Sequence, residues 1–265
     1  MIKHLLFLTF IFNLSLAWAQ ETPECVSIKK SKNSPERSIN IVIVPSDFGS
    51  DMDHFESKVR DLWSDISQID PYSSQVDTMN VIIAKIPSKS NSYCEVSKEN
   101  DRILNCNWFK AAGQADHCFK GPQRYVITIH NSDHHAGSGL VEGAASTLAK
   151  SASGIIPHEL GHAIFNLADE YTYVGKANGP NCAKQSSCAP WQDLIDAGLA
   201  TCQTGCPGNS KFTSTPNIMR TLEVKDFGHV NNRLICCRFK KLTGEYPNFC
   251  DQYSSVGSGL DKFCR

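Results

Sequence analysis

The sequence predicts an α/β fold in two parts: a layer of buried strands with helices packed on it, then a smaller part that depends on disulfides. Three observations carry this. Continuous β-branched runs at 39–44 (INIVIV), 80–86 (NVIIAKI) and 125–130 (YVITIH) read as buried strands. Between the first two, Phe55, Val59, Leu62, Trp63 and Ile66 recur at helical spacing, the pattern of an amphipathic helix lying on a sheet. From residue 172 onward the texture changes to Gly, Pro, Asn and Cys, and eight of the 12 cysteines lie there. Such a segment builds little core and needs covalent ties.

The elements follow in order. Residues 1–19 hold a basic Lys3, an apolar run over 5–16 and the small-x-small triplet Ala17, Trp18, Ala19, so they read as a secretory signal cleaved after Ala19. The apolar run is shorter than the roughly 20 residues a membrane span needs, and no cysteine marks a lipid anchor. Residues 20–38 are polar and broken by prolines, an amino-terminal arm held by Cys25. The helix after the first strand has Ser50 or Asp51 as its cap and Pro71 beyond its end. A polar excursion with Cys94, Cys106 and Cys118 separates the second strand from the third. The glycine-rich stretch 131–146 reads as a surface loop or edge strand. Pro157 confines the next helix to a start or a kink near that position. In the second part, Leu234, Ile235, Phe239 and Leu242 share one face, lysines fill the last turn and Gly244 follows, so 230–242 reads as a helix. The boundaries are therefore 1–19, 20–38, 39–171 and 172–265.

Charge excludes some partners. With 26 basic and 27 acidic residues and no basic run, neither nucleic acid nor an anionic membrane is expected as a partner. An even 12 cysteines in an exported chain read as a disulfide framework. Adjacent Cys236 and Cys237 pair outward, with partners that spacing does not reveal.

The chemistry concentrates in HELGHAIFNLADEY, residues 158–171. Residues i and i+4 on a helix project side by side, so His158 and His162 can grip one zinc ion while Glu159 faces its water as general base. A catalytic zinc needs three protein ligands and one open position. If the helix ran on, Asp169 would sit seven residues beyond His162, roughly 10 Å further along the axis and out of reach. The helix must therefore stop, and Asn166 tolerates the left-handed conformation that ends helices. Three residues after that turn comes Asp169, the spacing of the third ligand after the glycine of HExxHxxGxxH. Asp169 is the favoured third ligand, with Glu170 the alternative.

These residues carry a resemblance. The HELGHAIFNLADEY motif and NIMR at 217–220 resemble the zinc motif and the downstream isoleucine-methionine-arginine element of the IgA-cleaving metallopeptidases, the clostridial IgA protease type. The resemblance is loose over about 39–238 and specific in those two motifs. It implies a metzincin-like zinc peptidase with an upper twisted-sheet subdomain and a smaller disulfide-rich lower one, zinc on His158, His162 and Asp169, and Met219 in a Met-turn beneath the ion. Asn166 departs from the glycine common at its position. With the signal sequence, the expected protein is a secreted endopeptidase acting on protein or peptide, and a monomer. Two other readings fit the spacing: a zinc amidase on cell-wall or glycan-linked amides, and a secreted binding protein without catalysis. Glu159 speaks against the second, since binding alone needs no base. His134 and His135 are candidates for the cleft edge, and Arg220 for a structural ion pair.

Overall fold

The structure is a computed structural model that describes residues 23–87, 92–140, 143–172, 179–183, 187–207, 211–212 and 216–264. The expected signal at 1–19 lies outside the described residues.

The expected α/β layer is present. Strand β1 (Glu24–Lys29) leads to β2 (Ile39–Ser46), α1 (Met52–Ile66), a single turn α2 (Tyr72–Gln75) and β3 (Met79–Lys85). The hairpin β4 (Cys94–Val96) and β5 (Leu104–Cys106) and helix α3 (Trp108–Ala115) fill the excursion before β6 (Arg124–His130). Strands β7 (Gly137–Leu140) and β8 (Gly143–Thr147) then lead into helix α4 (Ala152–Ala163). The principal sheet has the order β1-β3-β2-β6-β8-β7. Its inner strands β3, β2, β6 and β8 run parallel, and the two edge strands run antiparallel to their neighbours. Parallel strands are covered on both faces, which is why β2 is buried at every position and reads as an unbroken apolar run.

Each face has its own core. On one, Phe55, Val59 and Ile66 of α1 pack with Ile41, Ile43, Ile83 and Ile127 of the sheet and with Ile156 and Leu160 of α4. Asp51 caps α1 by accepting the His54 N–H at 3.1 Å. On the other face, Ala111 and Ala115 of α3 cover Val42, Val44 and Val126.

Three expectations change in detail. The amino-terminal arm is in part a strand: β1 pairs with β3 at the sheet edge and is bonded to the excursion through Cys25–Cys118. That edge is opposite β7, so residues 24–29 lie across the sheet from helix α4. The glycine-rich stretch forms the edge strand β7, but β8 is an inner strand buried throughout. Pro157 stands in the second turn of α4 rather than the first, since the helix begins five residues earlier. Its carbonyl accepts the Tyr72 hydroxyl at 3.3 Å.

Beyond residue 172 come α5 (Gln192–Asp196), the short pair β9 (Gln203–Thr204) and β10 (Lys211–Phe212), α6 (Gly228–Thr243) and α7 (Leu260–Phe263). Helix α6 matches the expected 230–242, with Gly244 at φ 80° as its left-handed stop. Its Ile235 and Phe239 join the principal core, while Trp191, Leu194 and Tyr253 form a second cluster beside Cys188, Cys236 and Cys250. All 12 cysteines are paired: 25–118, 94–106, 182–206, 188–202, 236–250 and 237–264. Cys236 and Cys237 do pair outward. Such a framework suits an oxidising, extracellular environment, and among the described residues no helix is long and apolar enough to cross a membrane.

Candidate metal centre

Helix α4 carries the first two donors. His158 and His162 are one turn apart, and their Nε2 atoms lie 3.2 Å from each other. The helix ends where the sequence requires it to end. Asn166 takes φ 57°, and its N–H bonds the His162 carbonyl at 3.0 Å, closing a left-handed cap. The reversed chain then returns Asp169 to the histidines. Its Oδ1 lies 3.1 Å from His158 Nε2 and 3.2 Å from His162 Nε2.

Backbone carbonyls orient both rings. His158 Nδ1 donates to Ile218 O at 2.8 Å, and His162 Nδ1 donates to Leu167 O at 2.6 Å. A neutral imidazole that donates through Nδ1 keeps a lone pair on Nε2. With both imidazoles neutral, two lone pairs and a carboxylate oxygen face one point, and among the described residues the buried Asp169 Oδ1 meets no donor other than those two rings. That arrangement is repulsive unless a cation sits among the three. Tetrahedral zinc, with ligands at about 2.0–2.1 Å, places its donors about 3.3 Å apart, close to the separations here. The donor set fits zinc and leaves a coordination position open.

Burial works against charge on His162, but the hydrogen bond to Asp169 and the charges of Glu159 and Asp169 outweigh it and push its pKa up to about 9. Burial likewise opposes ionisation of Asp169, yet the two histidines hold its carboxyl well below the usual range.

Glu159 belongs to the same cluster, with ligand-type atoms of His158, Glu159 and His162 within 4.8 Å of one another. Its carboxylate lies against β7, where a Cβ on Gly139 would come 2.5 Å from Oε2. The side chain keeps some solvent access. Loss of bulk water raises its pKa, and the two histidines only partly offset that.

Glu170 turns away from the donors. It is fully buried, and Oε1 accepts from Asn181 Nδ2 (3.0 Å) and Asn231 Nδ2 (2.8 Å) while Oε2 accepts from Asn217 Nδ2 (2.7 Å). Burial raises its pKa against the pull of those three amides. The same residues tie the loop down. Asn181 brackets Ala168 through both backbone groups, Glu170 N–H bonds Met219 O at 2.8 Å, and Cys206 N–H bonds Glu170 O at 3.2 Å. The Cys182–Cys206 disulfide joins the two outer strings of this knot.

Met219 is fully buried under α4. A Cβ on Gly161 would meet its Sδ at 2.6 Å, so the glycine in HELGH is there to let the thioether approach. Its neighbours Ile218 and Asn217 supply the carbonyl that orients His158 and an amide that holds Glu170.

His134, His135 and Arg220 have hydrogen-bond partners elsewhere. His134 bonds the Asp101 carbonyl and His135 the Ser151 hydroxyl, so both hold the loop before α4. Arg220 Nη1 donates to Gln203 Oε1 at 3.0 Å. Tyr171, 44% exposed, lays its ring over His158 with centroids 6.4 Å apart. Sequence reasoning missed Asn181, Asn217 and Asn231, which share no motif and lie in three separate segments. Only Asn217, first residue of NIMR, had a signal beside it.

Comparison with known proteins agrees with this geometry. A family model described as IgA Peptidase M64 matches residues 26–204. No curated protein matches the chain.

Proposed function

The chain belongs to the IgA peptidase M64 family, and from that premise we propose that it is a secreted, zinc-dependent endopeptidase whose zinc is held by His158, His162 and Asp169. The observation that carries the reading is the convergence of His158 Nε2, His162 Nε2 and the buried Asp169 Oδ1, each within 3.2 Å of the other two. Glu159 is the general base and Met219 the floor beneath the donors. We further place the working division at residue 171, with the upper part 39–171 and the lower part 172–265 meeting at a cleft beside α4. Zinc, when bound, supplies Lewis acidity, lowering the pKa of water toward about 7 and polarising a carbonyl.

The residues of this chain do the rest. A Glu159 Oε accepts a proton from the attacking water and later gives it to the nitrogen of the leaving amine. Its raised pKa brings base and acid roles closer to neutral pH. Strand β7 is the last strand of the sheet; its Gly137 end is bridged to Ile103, and its Gly139 end lies directly against that carboxylate. An extended peptide added to such an edge crosses Glu159 with its backbone, which favours a peptide over other amides. Leu167 O and Ile218 O hold the imidazoles so that their Nε2 atoms stay available.

The reading is tested by loading purified protein with zinc, incubating it with a diverse peptide pool and sequencing the products. Internal cleavage abolished by a chelator and restored by zinc is expected. Intact peptides at full zinc occupancy would overturn it.

A further inference from the structure

A pocket of about 520 Å³ opens immediately beyond the third donor, lined by Tyr171, Thr172, Gln203, Gly205, Arg220 and Thr221 among others. None of the three donors lines it, and its link to them is Tyr171. Tyr171 is two residues from Asp169, and its ring stacks over His158. Among the described lining residues Arg220 is the one cation, while the acid in the wall, Glu170, is fully buried and turned into its three asparagines.

The backbone fixes where that cation stands. Met219 dips under α4 against Gly161, and the next residue, Arg220, is held by its N–H to Asn217 O at 3.0 Å. Its guanidinium reaches across to a neutral acceptor, Gln203 Oε1, on the opposite wall. We propose that this pocket is a specificity site that takes an acidic side chain of the substrate, from a residue within two positions of the scissile bond. A planar guanidinium meets a carboxylate in a fixed fork, which a lysine or an apolar side chain does not match.

This inference rests on the peptidase reading, and the experiment separates the two. The zinc-loaded full chain is given peptide pairs that differ only in Asp against Asn, or Glu against Gln, at each position flanking one cleaved bond. At one position the acidic member is expected to be cut faster in kcat/KM by about 10- to 100-fold, the worth of a charge-assisted over a neutral hydrogen bond, and the ratio should shrink with added salt. Arg220→Gln should lower that ratio to about one while cleavage of the amide peptides continues, and Arg220→Lys should keep part of it. Because the Arg220 charge also favours ionised Glu170, the wild-type ratio and its salt dependence decide the matter if a variant fails to fold. Cleavage without acidic preference at any position, or a preference unchanged in Arg220→Gln, overturns the pocket assignment alone. No cleavage of any peptide overturns the peptidase reading and the pocket with it.

Discussion

Replacing Glu170 with alanine tests whether the knot behind the donors, rather than the donors themselves, holds the metal loop. The carboxylate accepts three hydrogen bonds from buried amides at 2.7, 2.8 and 3.0 Å. At about 1.5–3 kcal/mol for each bond to a charged group, their sum is an upper bound near 9 kcal/mol. Two corrections reduce it. Asn181 and Asn231 keep second acceptors in Ala168 O and Phe227 O, and a buried carboxylate carries a desolvation cost that alanine removes. About 3–5 kcal/mol remains, the usual cost of breaking a buried polar network from one side. In a chain of this size about 1 kcal/mol moves Tm by roughly 2–4 °C, so the melt should fall by about 10 °C. Zinc should stay bound, weakened by about 10- to 100-fold because the loop that presents Asp169 is looser. The assay is thermal unfolding by circular dichroism alongside competitive zinc titration. An unchanged Tm would refute the structural role, and loss of zinc from Glu170→Ala with retention in Asp169→Ala would refute the ligand assignment.

Other expectations are smaller in scope. Asp169→Ala should fold, with the Glu170 knot intact, yet lose far more zinc affinity than Glu170→Ala, by competitive titration against a chelator. At Asn166, which sits at φ 57°, glycine should be tolerated and alanine should cost about 1 kcal/mol in chemical denaturation, because a Cβ without a polar side chain disfavours that conformation. The metal-free site keeps a proton on His162 up to about pH 9, so apparent zinc affinity should rise with pH through that range. Uptake near pH 7 should release about one proton, measurable by calorimetry in buffers of different ionisation enthalpy. The sign for stability follows from the same shift: His162 gains its partner only when folded, so its contribution to the metal-free protein is full below the unfolded value of 6.5 and is lost as pH rises through about 9.

Much of this architecture was legible because physical chemistry wrote it locally. Strands β2, β3 and β6 are inner parallel strands, so burial on both faces forced unbroken β-branched runs. The stop at Asn166 was legible because few residues tolerate the left-handed region. Strand β8 was not, since packing under α4 and against Trp108 demands the small residues Gly143, Ala144 and Ala145, which carry no periodic signal. Strand β1 hid for the opposite reason, being an exposed edge of mixed polarity that pairing alone makes a strand. In the candidate metal centre the proposed donors share one motif, whereas the asparagines that hold Glu170 come from 181, 217 and 231 and meet only in three dimensions. Disulfide partners are equally non-local: Cys25 reaches across 93 positions to Cys118.

The central claim is that the buried donors hold zinc and that Glu159 works on the water beside them. Glu159→Gln separates the two halves in one sample, since the amide keeps the shape of the side chain and loses its basicity. Zinc content and peptide hydrolysis should be measured together on this variant and on the wild-type protein. One zinc per chain in both, with hydrolysis lower in the variant by about 10²- to 10⁴-fold, is the predicted result. Equal turnover in the two proteins, or zinc well below one per chain in the wild type after supplementation, would contradict it.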